Sequence, residues 1–327
     1  MARIAVTDGM APEAVEILKK GGHDVVLGFI EKEDLLAGSL SDFDAIIVRS
    51  ATKLTAEVIA ATKGLIVIGR AGVGVDNIDL KAAGEAGIQV VNAPRASTQS
   101  VIELTIGHFL ASLRHIPKSD RGLRRSKWEK KLMNGTELSG KPLGLIGFGR
   151  IAQGVAAVAK AMGMHIHTYD PYLPPKIARQ QGAFLHKKID SLFETCTHIS
   201  IHCNLSDETH HLVNAKRMAL MPGKANGIAC GNHIVNCARG GIVNEDDLLE
   251  ALENGNVTSA ALDVFEIEPA TNGHPLMLHP NFHGTPHIGA ATLEAQQRVG
   301  TDIAAAVMTT LDGNVSETLV NKEFLSS

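Results

Sequence analysis

Aromatic side chains are scarce in this chain of 327 residues: one Trp, two Tyr and nine Phe amount to 4% of it. A core short of large rings has to be assembled from Ala, Val, Ile and Leu, as in sheets covered by helices. Cysteine is equally sparse. Cys196, Cys203, Cys230 and Cys237 fall in or near apolar runs without a Cys-x-x-Cys pair, so buried free thiols in a reducing compartment are expected. Cys230, His233 and Cys237 lie close in sequence, but Asn, Gly and apolar residues surround them, and no metal is expected. No apolar run reaches the length of a membrane span, and the N-terminus lacks the basic-then-apolar layout of a signal peptide. A soluble, cytoplasmic protein is the expectation. The formal charge of -4 gives no reason to expect nucleic acid or an anionic membrane as a partner.

What the chain does have is a repeated exchange of short apolar strands and helical stretches. Strands are expected over residues 3–7, 24–28, 45–49, 66–68 and 89–91, with helices between them over 11–20, 55–61 and 81–85. Alternation at this spacing predicts a parallel sheet with helices on both faces. A long helix follows over 98–113, then a polar, basic stretch from Lys118 to Lys131. A second series of strands is expected over 143–146, 165–169, 198–202, 233–237 and 260–263. The segment 290–311 is again helical and leads back to the first block, where 313–319 would finish the chain. The fold class is therefore α/β, with two doubly wound parallel-sheet domains. Residues 1–95 and 290–327 would form a discontinuous, flavodoxin-like domain, and 96–289 a second domain of Rossmann type. A cleft between them is the expected ligand site.

The most informative stretch is Leu143-Gly144-Leu145-Ile146-Gly147-Phe148-Gly149-Arg150-Ile151-Ala152. Gly147 suits a tight strand-to-helix turn, and Gly149 lets the backbone approach a pyrophosphate. The helix that starts there aims free N–H groups and its positive dipole end at that phosphate. Asp170, at the end of the next strand, stands where a carboxylate would hold the ribose hydroxyls of NAD. Pro171 and Tyr172 follow it. A 2′-phosphate would meet a carboxylate and no cation there, which favours NAD over NADP.

Candidates for chemistry cluster just beyond later strands of the second domain. Arg239 follows Ile234-Val235-Asn236-Cys237-Ala238 and precedes Gly240-Gly241. Asp263 ends an apolar run, Glu268 lies in the loop after it, and His287 sits in Thr285-Pro286-His287-Ile288-Gly289. In a doubly wound sheet the carboxyl ends of the strands form the ligand crevice. Hydride transfer to or from an alcohol carbon needs these types together. A histidine takes or gives the hydroxyl proton near neutral pH, a carboxylate orients and stabilises its protonated form, and an arginine holds a substrate carboxylate.

These motifs resemble the D-isomer-specific 2-hydroxyacid dehydrogenase family over almost the whole length. Further matching segments are Val48-Arg49-Ser50-Ala51-Thr52-Lys53, Gly69-Arg70-Ala71-Gly72-Val73-Gly74-Val75-Asp76-Asn77, Lys127-Trp128-Glu129 and Gly135-Thr136-Glu137-Leu138. The resemblance implies that His287 is the acid/base, Glu268 its partner, and Arg239 the group that binds carboxylate and C–O. It implies cofactor contacts from Val73, Gly147, Gly149, Arg150, Ile151, Asp170, His202, Cys203, Cys237, Ala238, Gly289 and Ala290, with Asp263 at the nicotinamide end. Substrate contacts would come from Arg49, Ser50, Arg70, Gly72, Val73, Arg239 and His287. Two arginines, Arg49 and Arg70, match the members that oxidise D-3-phosphoglycerate, so a phosphorylated 2-hydroxy acid is the implied substrate. Reduction of glyoxylate or hydroxypyruvate is the nearer alternative. An NAD-sensing corepressor or scaffold is the alternative of a different class. The segment around Trp128 resembles one at the family's dimer interface, so a homodimer is implied.

Three departures from the family pattern stand out. The segment of residues 222–232 is longer than the family's by roughly eight residues, an insertion expected to enter at the amino end of a strand and leave the crevice intact. Asn204 replaces a proline usually placed beside the adenine. The chain also stops shortly after Leu319, so feedback by serine through a C-terminal regulatory domain is not expected.

Overall fold

A computed structural model of the chain describes residues 1–270 and 273–325. It divides into two compact units, one of Met1–Thr98 with Ala290–Ser327 and one of Gln99–Gly289.

The first unit is built on five parallel strands: β1 (Arg3–Val6), β2 (Asp24–Leu27), β3 (Ala45–Val48), β4 (Val67–Arg70) and β5 (Gln89–Asn92), in the order β2-β1-β3-β4-β5. Successive side chains of a strand point to opposite faces, and here both faces are covered. Ile4, Val6, Ile47 and Val67 pack on one side with Val299, Ile303 and Val307 of the helix Leu293–Leu311. Ala5, Ile46, Val48 and Ile68 pack on the other with Leu35, Val58 and Ile59. Gly69 is required by this contact, because a Cβ there would lie 2.7 Å from a Val307 methyl. The helix Leu293–Leu311 starts at Thr292, whose hydroxyl accepts the Ala295 N–H at 3.1 Å. That is three residues later than expected, because this cap sets the start. The chain's last part closes the edge of β5. Val320 N–H donates to Val90 O, while the side chain of buried Asn321 accepts the Val90 N–H and donates to Ile88 O.

The second unit has seven parallel strands: β6 (Pro142–Ile146), β7 (His165–Tyr169), β8 (Phe184–Leu185), β9 (His198–Ile201), β12 (His233–Asn236), β13 (Ser259–Leu262) and β14 (Phe282–Gly284). Their order is β14-β13-β12-β9-β6-β7-β8, so the winding reverses between β6 and β9. Such a reversal is where a doubly wound sheet opens a ligand crevice beyond its carboxyl ends. Both sheets match the expected α/β class.

Several further features differ from the sequence reading or refine it. Strands β8 and β14 were not expected; they are two and three residues long and extend the sheet at its edges. The short helix Lys32–Leu36 was also not expected. Part of the basic stretch is a helix, Ile116–Arg124, with no buried residue. The insertion forms a hairpin of β10 (Lys224–Ala225) and β11 (Ile228–Ala229). Its turn is Asn226-Gly227, both at positive φ, as a two-residue hairpin of this twist requires. It enters at the amino end of β12, and Asn226 Nδ2 donates to Gly140 O just ahead of β6. The hairpin therefore lies at the opposite end of the sheet from the crevice.

Candidate active site

The turn after β12 presents Arg239. Asn236 shapes it by accepting the Ala238 N–H at 2.9 Å and donating to Arg239 O at 2.8 Å. The guanidinium of Arg239 donates to Ala238 O at 2.7 Å. Gly240 lets the next loop come close, since a Cβ there would collide with the carbonyl of Phe265. Cys237 is buried behind this turn, and Ala238 is partly buried.

The loops after β13 and β14 supply the other groups. His287 Nδ1–H donates to Glu268 Oε2 at 2.7 Å, and Glu268 Oε1 accepts the Phe265 N–H at 3.0 Å. Both carboxylate oxygens are therefore committed, and the imidazole is held by Nδ1 with Nε2 left for a reacting group. Side chains of His287 and Glu268 are 48% and 36% exposed, open enough for a substrate to reach them. His287 has φ +52, a left-handed conformation that only a few non-glycine types adopt readily. Its N–H donates to Asp263 O at 2.8 Å. Asp263 is 1% exposed and fastens the same loop from within. Its Oδ1 accepts from Thr285 Oγ1 at 2.6 Å and Ile288 N at 2.8 Å, and its Oδ2 accepts from Gly289 N at 2.8 Å.

The charges follow this wiring. The hydrogen bond to Glu268 raises the His287 pKa above that of an ordinary histidine, against burial, and the negative charges of Glu268 and Asp263 add to the effect. For Glu268, burial acts to raise the pKa. The bonds from His287 and Phe265 together with the charges of His287 and Arg239 outweigh it, and the net shift is downward. Burial raises Asp263, opposed by the hydrogen bonds from Thr285, Ile288 and Gly289 and by His287.

The loops after β6, β7 and β9 fit a dinucleotide. Gly147 has φ +82, and a Cβ on it would sit 3.0 Å from the backbone of His202 and Cys203. Only glycine serves at that close approach. At Gly149 a Cβ would meet nothing within 4 Å, which leaves open space at the start of the helix Arg150–Ala161, and no side chain caps that start. Ile151 packs its side chain on the core behind. Asp170 accepts the N–H groups of Phe148 at 3.0 Å and Tyr172 at 3.0 Å, so its charge is fixed beside the turn. His202 is bonded through Nε2 to Ser200 Oγ at 2.9 Å, and burial pushes its pKa down to about 3. Burial likewise raises the neighbouring Cys203 thiol to about 11, so it stays protonated.

The remaining expected site residues lie in the first unit. Arg70 ends β4 beside Val48 of β3, and Arg49 is the next residue after Val48, so the two cations leave the sheet at neighbouring strand ends. The Arg49 loop is pinned from both sides. Asp8 accepts the N–H of Arg49 at 2.7 Å and of Thr52 at 3.1 Å, while Asn77 Nδ2 donates to Arg49 O and Thr52 O at 2.7 Å each. Ser50 is exposed at the loop's tip. Gly72 makes room for Arg70, whose guanidinium a Cβ there would strike. Val73 O accepts Asn92 Nδ2 at 2.7 Å, and Ala290 O accepts Gln296 Nε2 at 2.7 Å. Thr285, Asn236, Asp8 and Asn77 were not among the expected residues. Asp8, Asn77 and Thr285 act through contacts distant in sequence, whereas Asn236 acts two and three residues away, within the run that leads to Arg239. Among the described residues no group of His, Cys, Asp and Glu could hold a metal ion, and no helix is long and apolar enough to cross a membrane. His233, close to two cysteines in sequence, spends both ring nitrogens on Ser259 Oγ and Cys230 O.

Residues 106–289 match the model of the D-isomer specific 2-hydroxyacid dehydrogenase NAD binding domain, and the chain belongs to that family. Its cofactor is accordingly NAD, held by the second unit. The chain is 47% identical over 98% of its length to a D-3-phosphoglycerate dehydrogenase of Methanocaldococcus jannaschii, and spans 60% of that protein. It is 43% identical over 93% of its length to a hydroxypyruvate reductase of Thermotoga maritima, covering 97% of it. The solved NAD+-bound 3-phosphoglycerate dehydrogenase of Entamoeba histolytica superposes with a TM-score of 0.80 at 30% identity, covering 98% of this chain and 99% of that one.

Proposed function

We propose that the protein is a cytoplasmic enzyme that oxidises D-3-phosphoglycerate to 3-phosphohydroxypyruvate, the entry step of serine synthesis. The observation that carries the reading is the 2.7 Å bond between His287 and Glu268 in the family's NAD-binding domain. Bound NAD supplies the ring that accepts the hydride from C2 of the substrate. His287 Nε2 takes the C2 hydroxyl proton while its Nδ1–H remains on Glu268, whose charge stabilises the imidazolium. Arg239 grips the substrate carboxylate and polarises the C2 oxygen. Gly147, Gly149 and the first turn of the helix Arg150–Ala161 hold the pyrophosphate, and Asp170 the ribose. His202 and Cys203 border the adenine, Val73, Cys237, Ala238, Gly289 and Ala290 complete the cofactor contacts, and Asp263 serves the nicotinamide end. Residues 1–95 with 290–327 are the substrate domain, and 96–289 the cofactor domain.

Arg49 and Arg70 support the phosphorylated substrate. Two guanidinium groups at adjacent strand ends suit a dianion, with Ser50, Gly72 and Val73 lining its path. The relative of 43% identity supports a second reading, in which hydroxypyruvate or glyoxylate is reduced. The test compares NADH oxidation with 3-phosphohydroxypyruvate, hydroxypyruvate and glyoxylate. A kcat/KM advantage for the phosphorylated acid is expected, and Arg70→Ala should raise KM for that acid by about 10- to 100-fold while leaving the others nearly unchanged. Equal or better efficiency on the unphosphorylated acids favours the second reading.

The raised pKa of His287 gives the pH dependence a definite sign. Oxidation needs neutral His287, so its rate rises as pH passes upward through that pKa. Reduction needs the protonated form and falls over the same interval. Glu268→Gln removes the largest contribution to the raised value. The acid limb of the oxidation profile should then move to lower pH, and reduction should fade earlier as pH rises. Limbs that stay where they were would remove Glu268 from this role.

A homodimer is the proposed assembly. Ile116, Leu123, Trp128 and Leu132 are exposed within one short basic stretch, Trp128 at 83%, an apolar patch of the kind that marks an interface. Sedimentation should give a dimer that Trp128→Asp weakens. A monomeric wild-type chain would dispose of the proposal.

A further inference from the structure

The loop that carries His287 is tied to a pair of histidines outside the site. Thr285 Oγ1, which bonds Asp263 Oδ1, also lies 3.1 Å from His108 Nε2. His108 Nδ1 is in turn 3.1 Å from His283 Nε2. His108 projects from the helix Thr98–Leu113 and is 3% exposed. His283 comes from β14, the strand that leads into the His287 loop.

The direction of each bond follows from valence. The Asp263 carboxylate can only accept, so the single proton of the Thr285 hydroxyl points at Oδ1. Towards His108 the hydroxyl has only a lone pair to offer, and Nε2 of His108 must therefore carry a proton. Burial holds both His108 and His283 at a pKa of about 4, with the charge of His283 acting on His108 and that of Arg121 acting on His283. Both rings are neutral near pH 7. Nδ1 of His108 is then an acceptor, and His283 Nε2–H donates to it. The result is a chain of one polarity, from His283 through His108 and Thr285 to Asp263. It ends on the carboxylate that holds the N–H groups of Ile288 and Gly289.

We propose that His108 and His283 are positioning residues that act through Thr285 on Asp263 to hold the His287 loop in its reactive conformation. The loop has to be held, because His287 stands in a left-handed backbone conformation that a free chain rarely populates. Asp263 spends both oxygens on that loop. A hydroxyl free to rotate away would leave Oδ1 short of one bond in a site 1% exposed, where water does not readily replace it. His108 occupies the alternative direction for the hydroxyl and so removes the rotation. The inference rests on His287 as the acid/base, but its structural half is measurable without substrate.

The test is amide hydrogen exchange on the full chain, with His108→Leu and His108→Gln. Exchange at Ile288 and Gly289 should be about tenfold faster in His108→Leu, the effect of losing one hydrogen bond to a charged network, while the amides of β12 keep their protection. The side-chain amide of glutamine can donate to Thr285, so His108→Gln should restore slow exchange. Turnover should follow, with kcat lowered about tenfold in His108→Leu, KM little changed, and recovery in His108→Gln. Unchanged exchange at Ile288 and Gly289 in His108→Leu would overturn the proposal. If that variant also loosens β12, Thr285→Val decides, since it cuts the chain at its middle. Local loosening there supports the relay, and intact protection sinks it. Because exchange needs no substrate, failure of the phosphoglycerate reading leaves this result standing, and a normal exchange pattern in an active enzyme removes the relay alone.

Discussion

Replacing His287 by asparagine should lower kcat by about 10²- to 10⁴-fold in both directions, the usual scale of a lost general acid/base. Asparagine is the replacement to use because of the backbone. At φ +52 an alanine would add strain, whereas asparagine tolerates the left-handed region. The main-chain bond from residue 287 to Asp263 O survives the change, and so do the bonds from Ile288 and Gly289 to the Asp263 side chain. The loop should keep its course while losing Nε2, so NADH binding measured by fluorescence should change little. What remains should also lose the pH limb assigned to His287. Turnover close to that of the unaltered protein would end the acid/base role, and a large loss of NADH binding would point to a collapsed loop instead.

The fold was legible where strand and helix alternate with buried faces. Residues 3–92 spell this out, because Ile4-Ala5-Val6 and Ala45-Ile46-Ile47-Val48 are apolar on both faces, as strands between two helical layers must be. What escaped the pattern lacks that burial. The helix Ile116–Arg124 has no buried residue, its apolar face is limited to Ile116 and Leu123 among polar residues, and it carries Gly122 in its interior. Strands β8 and β14 are too short to show a period.

The site divides in a similar way. Arg239, Glu268 and His287 were legible as residue types beyond successive strands, and Gly147 and Gly149 as a turn whose glycines have distinct tasks. The sequence does not say which carboxylate serves which purpose. Asp263 and Glu268 are five positions apart, yet Glu268 takes the imidazole and Asp263, far more buried, fastens the Thr285 hydroxyl before it and the backbone N–H groups of Ile288 and Gly289 after it. That division is set by where the segment after β13 meets the loop after β14, a tertiary matter. His108 is further from view still, since it meets Thr285 across 177 positions.

Arg239→Ala should cost about 10²- to 10³-fold in kcat/KM, the sum of one or two charge-assisted hydrogen bonds to the substrate. On the proposed reading the loss should appear in both kcat and KM, because the guanidinium would bind the carboxylate in the ground state and meet growing charge on the C2 oxygen during reduction. The structure explains why the variant should still fold. The turn that carries Arg239 is held by Asn236 through the Ala238 N–H and the Arg239 carbonyl, both main-chain groups that truncation leaves in place. Gly240 fits against the Phe265 carbonyl independently of the side chain. Arg239→Lys keeps the charge but not the planar fork, so it should recover only part of the loss. Guanidinium added at low concentration should partly rescue Arg239→Ala and have no such effect on Arg239→Lys, where the lysine fills the space. A kcat/KM near that of the unaltered protein in Arg239→Ala would assign the carboxylate to other residues, with Arg49 and Arg70 the next to test.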